Sequence, residues 1–206
     1  MKVLLINGSP KANGNTAFAL AQMEDVFHSC GVETELLQVG SQVIRGCIGC
    51  GSCYKTSKCV FDDLVNETAA KLDSYDGIVV GSPVYYASPN GTLLSFLDRL
   101  FYSTGKIDKR MKVGAAVVVA RRGGCTAAMD VLNKYFSISE MPIASSTYWN
   151  IIHGGKPGDA AQDAEGVRTM RNLAKNMVFL MHAIAAEKDK TGLPQPEPKA
   201  FTNFIR

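Results

Sequence analysis

Val3, Leu4, Leu5 and Ile6 form a short unbroken apolar run, the pattern of a strand buried on both faces of a parallel sheet. The chain then turns through Asn7, Gly8, Ser9 and Pro10. From Thr16 to Cys30, Phe18, Leu20, Met23, Val26 and Phe27 recur at helical spacing, and Gly31 is placed to end that helix. Val32 to Val39 alternates as a second strand. Phe61 to Leu72 reads as a helix, Gly77 to Gly81 as a buried strand, and Gly91 to Tyr102 as another helix. Val113 to Ala120 is the next buried strand, Thr126 to Phe136 is helical, and Met141 to Trp149 reads as the last strand, although Pro142 sits inside it. His153 to Asp159 is a Gly/Pro loop. Ala164 to Glu187 is a long helix whose Val167, Met170, Ala174, Met177, Met181 and Ile184 keep a 3-4 spacing, broadened by Leu173 and Leu180. Gly192 to Pro198 is a proline-spaced, extended tail. Gly46 to Cys59 follows no period at all.

Strands alternating with helices predict an α/β fold with right-handed crossovers. The expectation is a doubly wound five-stranded parallel sheet of order 2-1-3-4-5, carried by one domain over residues 1–190. A cysteine-rich loop (46–60) interrupts it, and a C-terminal tail (191–206) follows. A sheet of this order takes ligands at the carboxyl ends of its first and third strands. Three polar, Gly-bearing loops then meet on one edge: Gly8 to Thr16, Ser82 to Gly91, and Arg121 to Gly124.

The first of these loops passes from strand to small residues to helix, which aims backbone N–H groups and hydroxyls at an anion. It is not a Walker loop, since five residues separate Gly8 from Gly14 and Asn15 replaces the lysine. Nor is it the G-x-G-x-x-G of dinucleotide folds, because Ser9 and Pro10 follow Gly8. What it offers is Ser9, Lys11, Asn15 and Thr16, a set suited to a singly esterified phosphate. Taken alone, an ordinary strand-to-helix turn would look the same; the convergence of three such loops is what indicates a nucleotide.

The chain has 206 residues, 46% hydrophobic and 20% charged, with a formal net charge of +3. These values exclude wholesale disorder and give nucleic acid nothing to hold. No apolar run approaches the ~20 residues of a membrane span, and no leader precedes the first strand, so a cytoplasmic protein is expected. Cysteines there are more often ligands or catalysts than staples. Cys47-x2-Cys50-x2-Cys53-x5-Cys59 is a compact thiol set that suits an iron–sulfur cluster or tetrahedral zinc, with disulfides or free thiols as the plainer alternatives. Cys30 and Cys125 read as packed small residues, Cys125 standing at a helix start where a thiol pKa can fall. His28 and His153 read as surface residues and His182 as a helix packing position, none with an evident partner.

Gly8-Ser9-Pro10-Lys11 followed by Gly14-Asn15-Thr16, together with Ser82-Pro83-Val84-Tyr85-Tyr86, resembles the NADPH-dependent FMN reductase family of flavodoxin-like proteins. With the cysteine loop included, the chain is most similar to the iron–sulfur flavoprotein branch, Lys11 standing where that family has arginine. The resemblance implies that Ser9, Lys11, Asn15 and Thr16 hold the FMN phosphate. Pro83, Val84, Tyr85 and Tyr86 would line the flavin ring, one tyrosine stacking on it, and Ala120, Arg121, Arg122 and Gly123 would meet its pyrimidine edge. Cys47, Cys50, Cys53 and Cys59 would carry a [4Fe–4S] cluster exchanging electrons with FMN. No catalytic acid or base is implied, because nicotinamide and flavin carry the chemistry. Also implied are NAD(P)H as co-substrate and a small acceptor such as a quinone or flavin, or a ferredoxin-type carrier. A homodimer or homotetramer is implied as well, with Phe201, Phe204 and Ile205 placed to pack across a neighbour. The rival class is a non-enzymatic electron carrier of the flavodoxin type, against which the net charge of +3 counts, such carriers being strongly acidic for docking.

Overall fold

β1 (Lys2–Asn7) is the strand around which the computed structural model is built; the structure describes residues 1–198 and 200–204. Alternate side chains of β1 enter two separate cores, Leu4 and Ile6 on one face and Val3 and Leu5 on the other, so both faces are covered and no polar position interrupts the run. Parallel partners flank it: β2 (Glu33–Gln38) at the sheet edge and β3 (Gly77–Tyr85) on the inner side. β5 (Val113–Ala120) and β6 (Ile151–His153) continue the sheet, while β4 (Ser88–Pro89) folds back antiparallel on the end of β3. The path β2-β1-β3-β5-β6 is the expected order 2-1-3-4-5 of a flavodoxin-like sheet, with the two-residue β4 added.

Helices cover both faces. α1 (Asn15–Ser29) and α6 (Ala164–Thr191) share one core, where Met170, Leu173, Ala174, Met177 and Met181 form the buried stripe of α6. α3 (Leu64–Lys71), α4 (Gly91–Ser103) and α5 (Cys125–Ser137) share the other. The five-residue α2 (Ser52–Thr56) lies inside the cysteine loop. α1 closes as its sequence foretells: Gly31 is left-handed at φ 72°, its N–H reaching the His28 carbonyl and that of Val32 the Phe27 carbonyl. α3 starts later than its apolar pattern suggests, because Asp63 caps it by accepting from Val65 N.

The last strand departs from expectation. Gly114 donates to the Pro142 carbonyl and accepts from Ala144 N, which makes one bridge at Ile143. Seven residues separate Ile143 from Ile151, but only three separate their partners Gly114 and Val118, so the excess is expelled as a loop. That loop carries Tyr148 and Trp149, exposed and packed on each other, which is why an aromatic-rich stretch is not the strand. Regular pairing resumes only at Ile151.

The tail after α6 is irregular; Pro194 accepts from Arg110 Nη1 at 3.0 Å, Phe201 and Phe204 are exposed, and Ile205 lies outside the described residues. Cys30 and His182 are exposed rather than packed. Among the described residues no helix is long and apolar enough to cross a membrane.

The sheet edge gives a pH prediction. Glu35 on β2 accepts from Lys2 Nζ at 2.7 Å and Lys71 Nζ at 3.0 Å, and these cations hold its carboxyl down to about 2. A carboxyl lowered on folding stabilises the native state above its unfolded pKa, and that contribution is lost as pH falls through the folded one. Wild-type protein should therefore lose more stability than Glu35→Gln between pH 5 and pH 2, by about 1 kcal/mol or less for a partly exposed pair. Urea unfolding midpoints across that range measure the difference.

Candidate functional site

The carboxyl ends of β1 and β3 lie side by side, Asn7 opposite Gly81, and Gly8 N donates to the Gly81 carbonyl at 2.8 Å. The connections leave these two strands in opposite directions, which opens a crevice at this point. A cavity of about 250 Å³ occupies it. Ser9, Lys11, Asn15 and Thr16 line one end, Pro83, Val84 and Tyr85 one wall, and Ala120 and Arg121 another.

The chain fixes the first loop with a polar clasp. Buried Asn7 accepts from Ser9 N at 3.0 Å and donates to Gln38 Oε1 at 2.7 Å; Gln38 in turn donates to the Ser9 carbonyl at 2.6 Å. Ser9 Oγ accepts from Lys11 N, so the hydroxyl proton remains free to donate. Gly14 stands at the cap of α1, so no side chain caps the helix. Its first N–H groups and positive dipole end thus face a cavity that also holds Lys11, an arrangement fit for a dianionic phosphate.

Asn15 lines the cavity and has a second task as well. Its Nδ2 donates to the Lys156 carbonyl at 2.9 Å and its Oδ1 accepts from Ala160 N at 3.3 Å, so the amide ties the 153–160 loop to α1 while its second N–H stays available. Gly154, Gly155 and Pro157 of that loop complete the cavity, and Gly155 packs against the Arg121 side chain. Their signal was the Gly/Pro loop at His153 to Asp159, which loses its place on the sheet edge when the last strand is set too early.

The second loop is a hairpin. Tyr85 pairs with Ser88, leaving Tyr86 and Ala87 as the two turn residues with φ 51° and 59°. Both left-handed positions are ones that hairpins usually give to Asn or Gly. Ser82 Oγ steadies the base, donating to the Pro83 carbonyl and accepting from Asn90 N, and Asn90 caps α4 through Leu93 N. Tyr85 reaches the cavity, whereas Tyr86 stands fully exposed at the tip. Arg122 and Gly123 are likewise exposed and outside the cavity lining.

A second, much smaller cavity, of about 20 Å³, is lined by all four loop cysteines, Cys47, Cys50, Cys53 and Cys59, with Ile48, Phe61, Arg99 and Tyr102. All six cysteines are free. Among the described residues no three His, Cys, Asp or Glu are placed so as to hold a single metal ion. Cys125 is buried, and burial pushes its thiol pKa up, opposite to the activation a helix start can confer.

The family described as NADPH-dependent FMN reductase matches residues 1–156. An iron–sulfur flavoprotein of Methanocaldococcus jannaschii is 32% identical over 191 residues, covering 89% of this chain and 99% of that protein. One from Methanosarcina thermophila is 28% identical over 194 residues, covering 92% and 100%. Among solved structures, oxidised flavodoxin 1 from Bacillus cereus superposes with a TM-score of 0.59 at 15% identity, over 87% of this chain and 98% of that one, a likeness of fold.

Proposed function

Because the chain belongs to the NADPH-dependent FMN reductase family, we propose that it is an FMN-dependent oxidoreductase that draws electrons from NAD(P)H or a reduced carrier and delivers them to a small acceptor such as a quinone or flavin, with a [4Fe–4S] cluster on Cys47, Cys50, Cys53 and Cys59. The observation carrying this reading is one polypeptide with two prepared cavities, one ending in a cation and an uncapped helix, the other ringed by four thiols. FMN, when bound, supplies a ring that accepts hydride or single electrons.

The protein's own residues do the holding. Ser9 and Lys11 anchor the phosphate against the first turn of α1, and Thr16 closes that end. Pro83, Val84 and Tyr85 wall the ring away from water, and Arg121 places a cation at its edge, where negative charge on a reduced flavin is favoured. α4 joins the two sites: it starts behind the 82–90 hairpin and brings Arg99 to the cysteine cavity eight residues later, about 12 Å along the axis. A homodimer or homotetramer, with the exposed Phe201 and Phe204 against a neighbour, belongs to the same proposal.

Anaerobic mixing with NADPH and with NADH tests it. Rapid bleaching of the flavin absorbance with either nucleotide supports the reductase. Bleaching by a reduced ferredoxin but by neither nucleotide makes the protein an electron carrier instead. Iron below one atom per chain in anaerobically purified protein removes the cluster.

A further inference from the structure

Among the described residues Arg99 is the largest fully buried side chain, and it lies on the apolar face of α4 between Phe96 and Ser103. All five of its N–H donors are used. Nη1 and Nη2 fork onto Asp63 at 2.7 and 2.9 Å, Nη1 also reaches the Arg45 carbonyl at 3.3 Å, and Nη2 reaches the Phe61 carbonyl at 3.0 Å. Nε donates to Cys59 Sγ at 3.2 Å. Its guanidinium and that of Arg45 each stand 5.1 Å from the Phe61 ring centroid.

These partners come from the two ends of the cysteine loop: Arg45 just before Cys47, and Cys59 to Asp63 at its exit. A single side chain projecting from a rigid helix thus closes the loop. Cys59 is held a second time through its backbone, for Asn66 Oδ1 accepts from Cys59 N and Asn66 Nδ2 donates to the Cys59 carbonyl, at 2.9 and 3.0 Å. Cys47 and Cys50, by contrast, are exposed. We propose that Arg99 is a positioning residue for the cysteine site: it clasps the loop shut and donates an N–H···S hydrogen bond to Cys59, setting both the hold on iron and the potential at which the site is reduced. The proposal rests on the cluster reading above and names the residue that tunes it. Hydrogen bonds to the ligating sulfurs and a nearby cation both favour the more negative, reduced form.

Two variants of the full chain, purified anaerobically with iron and FMN, test this. Arg99→Lys keeps the charge and loses the fork. Arg99→Met combined with Asp63→Asn removes both charges, so no buried ion is stranded, and retains a cap for α3. In both, bound FMN should equal wild type, while iron is lost to a chelator about 10- to 100-fold more readily, the change typical of an outer-shell partner. The reduction midpoint of the iron–sulfur signal should move to lower potential, further in the double variant. Wild-type iron retention and midpoint in a variant that binds FMN would overturn the proposal. So would loss of FMN together with iron in both variants, since Arg99 would then serve the fold at large. Wild-type protein with iron below one atom per chain would take away the cluster reading itself, and is read before either variant.

Discussion

Flavin binding is expected to be abolished by Gly40→Val and severely weakened by Gly40→Ala. Gly40 follows β2, and its N–H donates to the Asn7 carbonyl at 3.1 Å. A Cβ at this position would land on the Gly8 carbonyl oxygen and on the carbonyl group of Ser9. Those atoms are the backbone of the loop that faces the phosphate, and no rotamer change relieves the clash. Overpacking that side chains can absorb costs about 1–3 kcal/mol. Here the loop itself must move, and with it Ser9, Lys11 and the entry to α1. Gly91→Ala is the control, because nothing lies within 4 Å of the added carbon and the site is the first turn of a helix. FMN titrations of the three proteins, with thermal unfolding alongside, give the comparison. Near wild-type affinity in Gly40→Val would show that the first loop does not define the flavin site.

Asp63→Ala should destabilise the protein by about 3 kcal/mol. Removing one partner of a buried ion pair typically costs about 3–5 kcal/mol, because the other charge is stranded. Arg99 has a side chain with no exposure, while Asp63 keeps 29%, which places the pair at the lower end. The carboxylate also caps α3, worth about 1 kcal/mol in its own right. Burial opposes the Arg99 charge, but Asp63 and Cys59 outweigh it, so the guanidinium remains a cation with nowhere to go. Asp63→Asn keeps the cap acceptor and should fall between wild type and Asp63→Ala in urea unfolding. A loss under about 1 kcal/mol for Asp63→Ala, the range of surface pairs, would mean that water reaches Arg99 once Asp63 is gone.

The sheet was legible because β1, β3 and β5 are doubly covered strands written almost wholly in apolar residues, and their loops are short and rich in glycine. The sheet order and the meeting of three loops follow from that. The failures have local causes. Met141 to Trp149 carries the residues of a strand, but Pro142 and the mismatch in length against β5 force a loop, and the Gly154–Pro157 wall of the cavity was hidden with it. Asn15 has the right chemistry for a phosphate and lines the cavity, and it also ties down a loop 141 residues away. Such a partner has no trace in local sequence. Tyr85 and Tyr86 are chemically equivalent, and only the hairpin register decides which one reaches the cavity.

Arg99 could have been found. It occupies an apolar position of α4, three residues after Phe96 and four before Ser103, where a solvated arginine does not belong. A charge on the buried stripe of a helix asks for a partner, and the acidic residue at the exit of the cysteine loop is the one at hand. Asn7 and Gln38, which clasp the first loop, give a weaker sign: a buried amide at the end of an otherwise apolar strand.

Calorimetric titration of the flavin-free chain with FMN and with riboflavin tests the placement of the phosphate at Ser9, Lys11 and the start of α1. Hydrogen bonds to a charged group contribute about 1.5–3 kcal/mol each, so two of them make FMN bind about 100-fold or more tightly than riboflavin. Equal affinity for the two flavins would put the phosphate elsewhere and contradict the account.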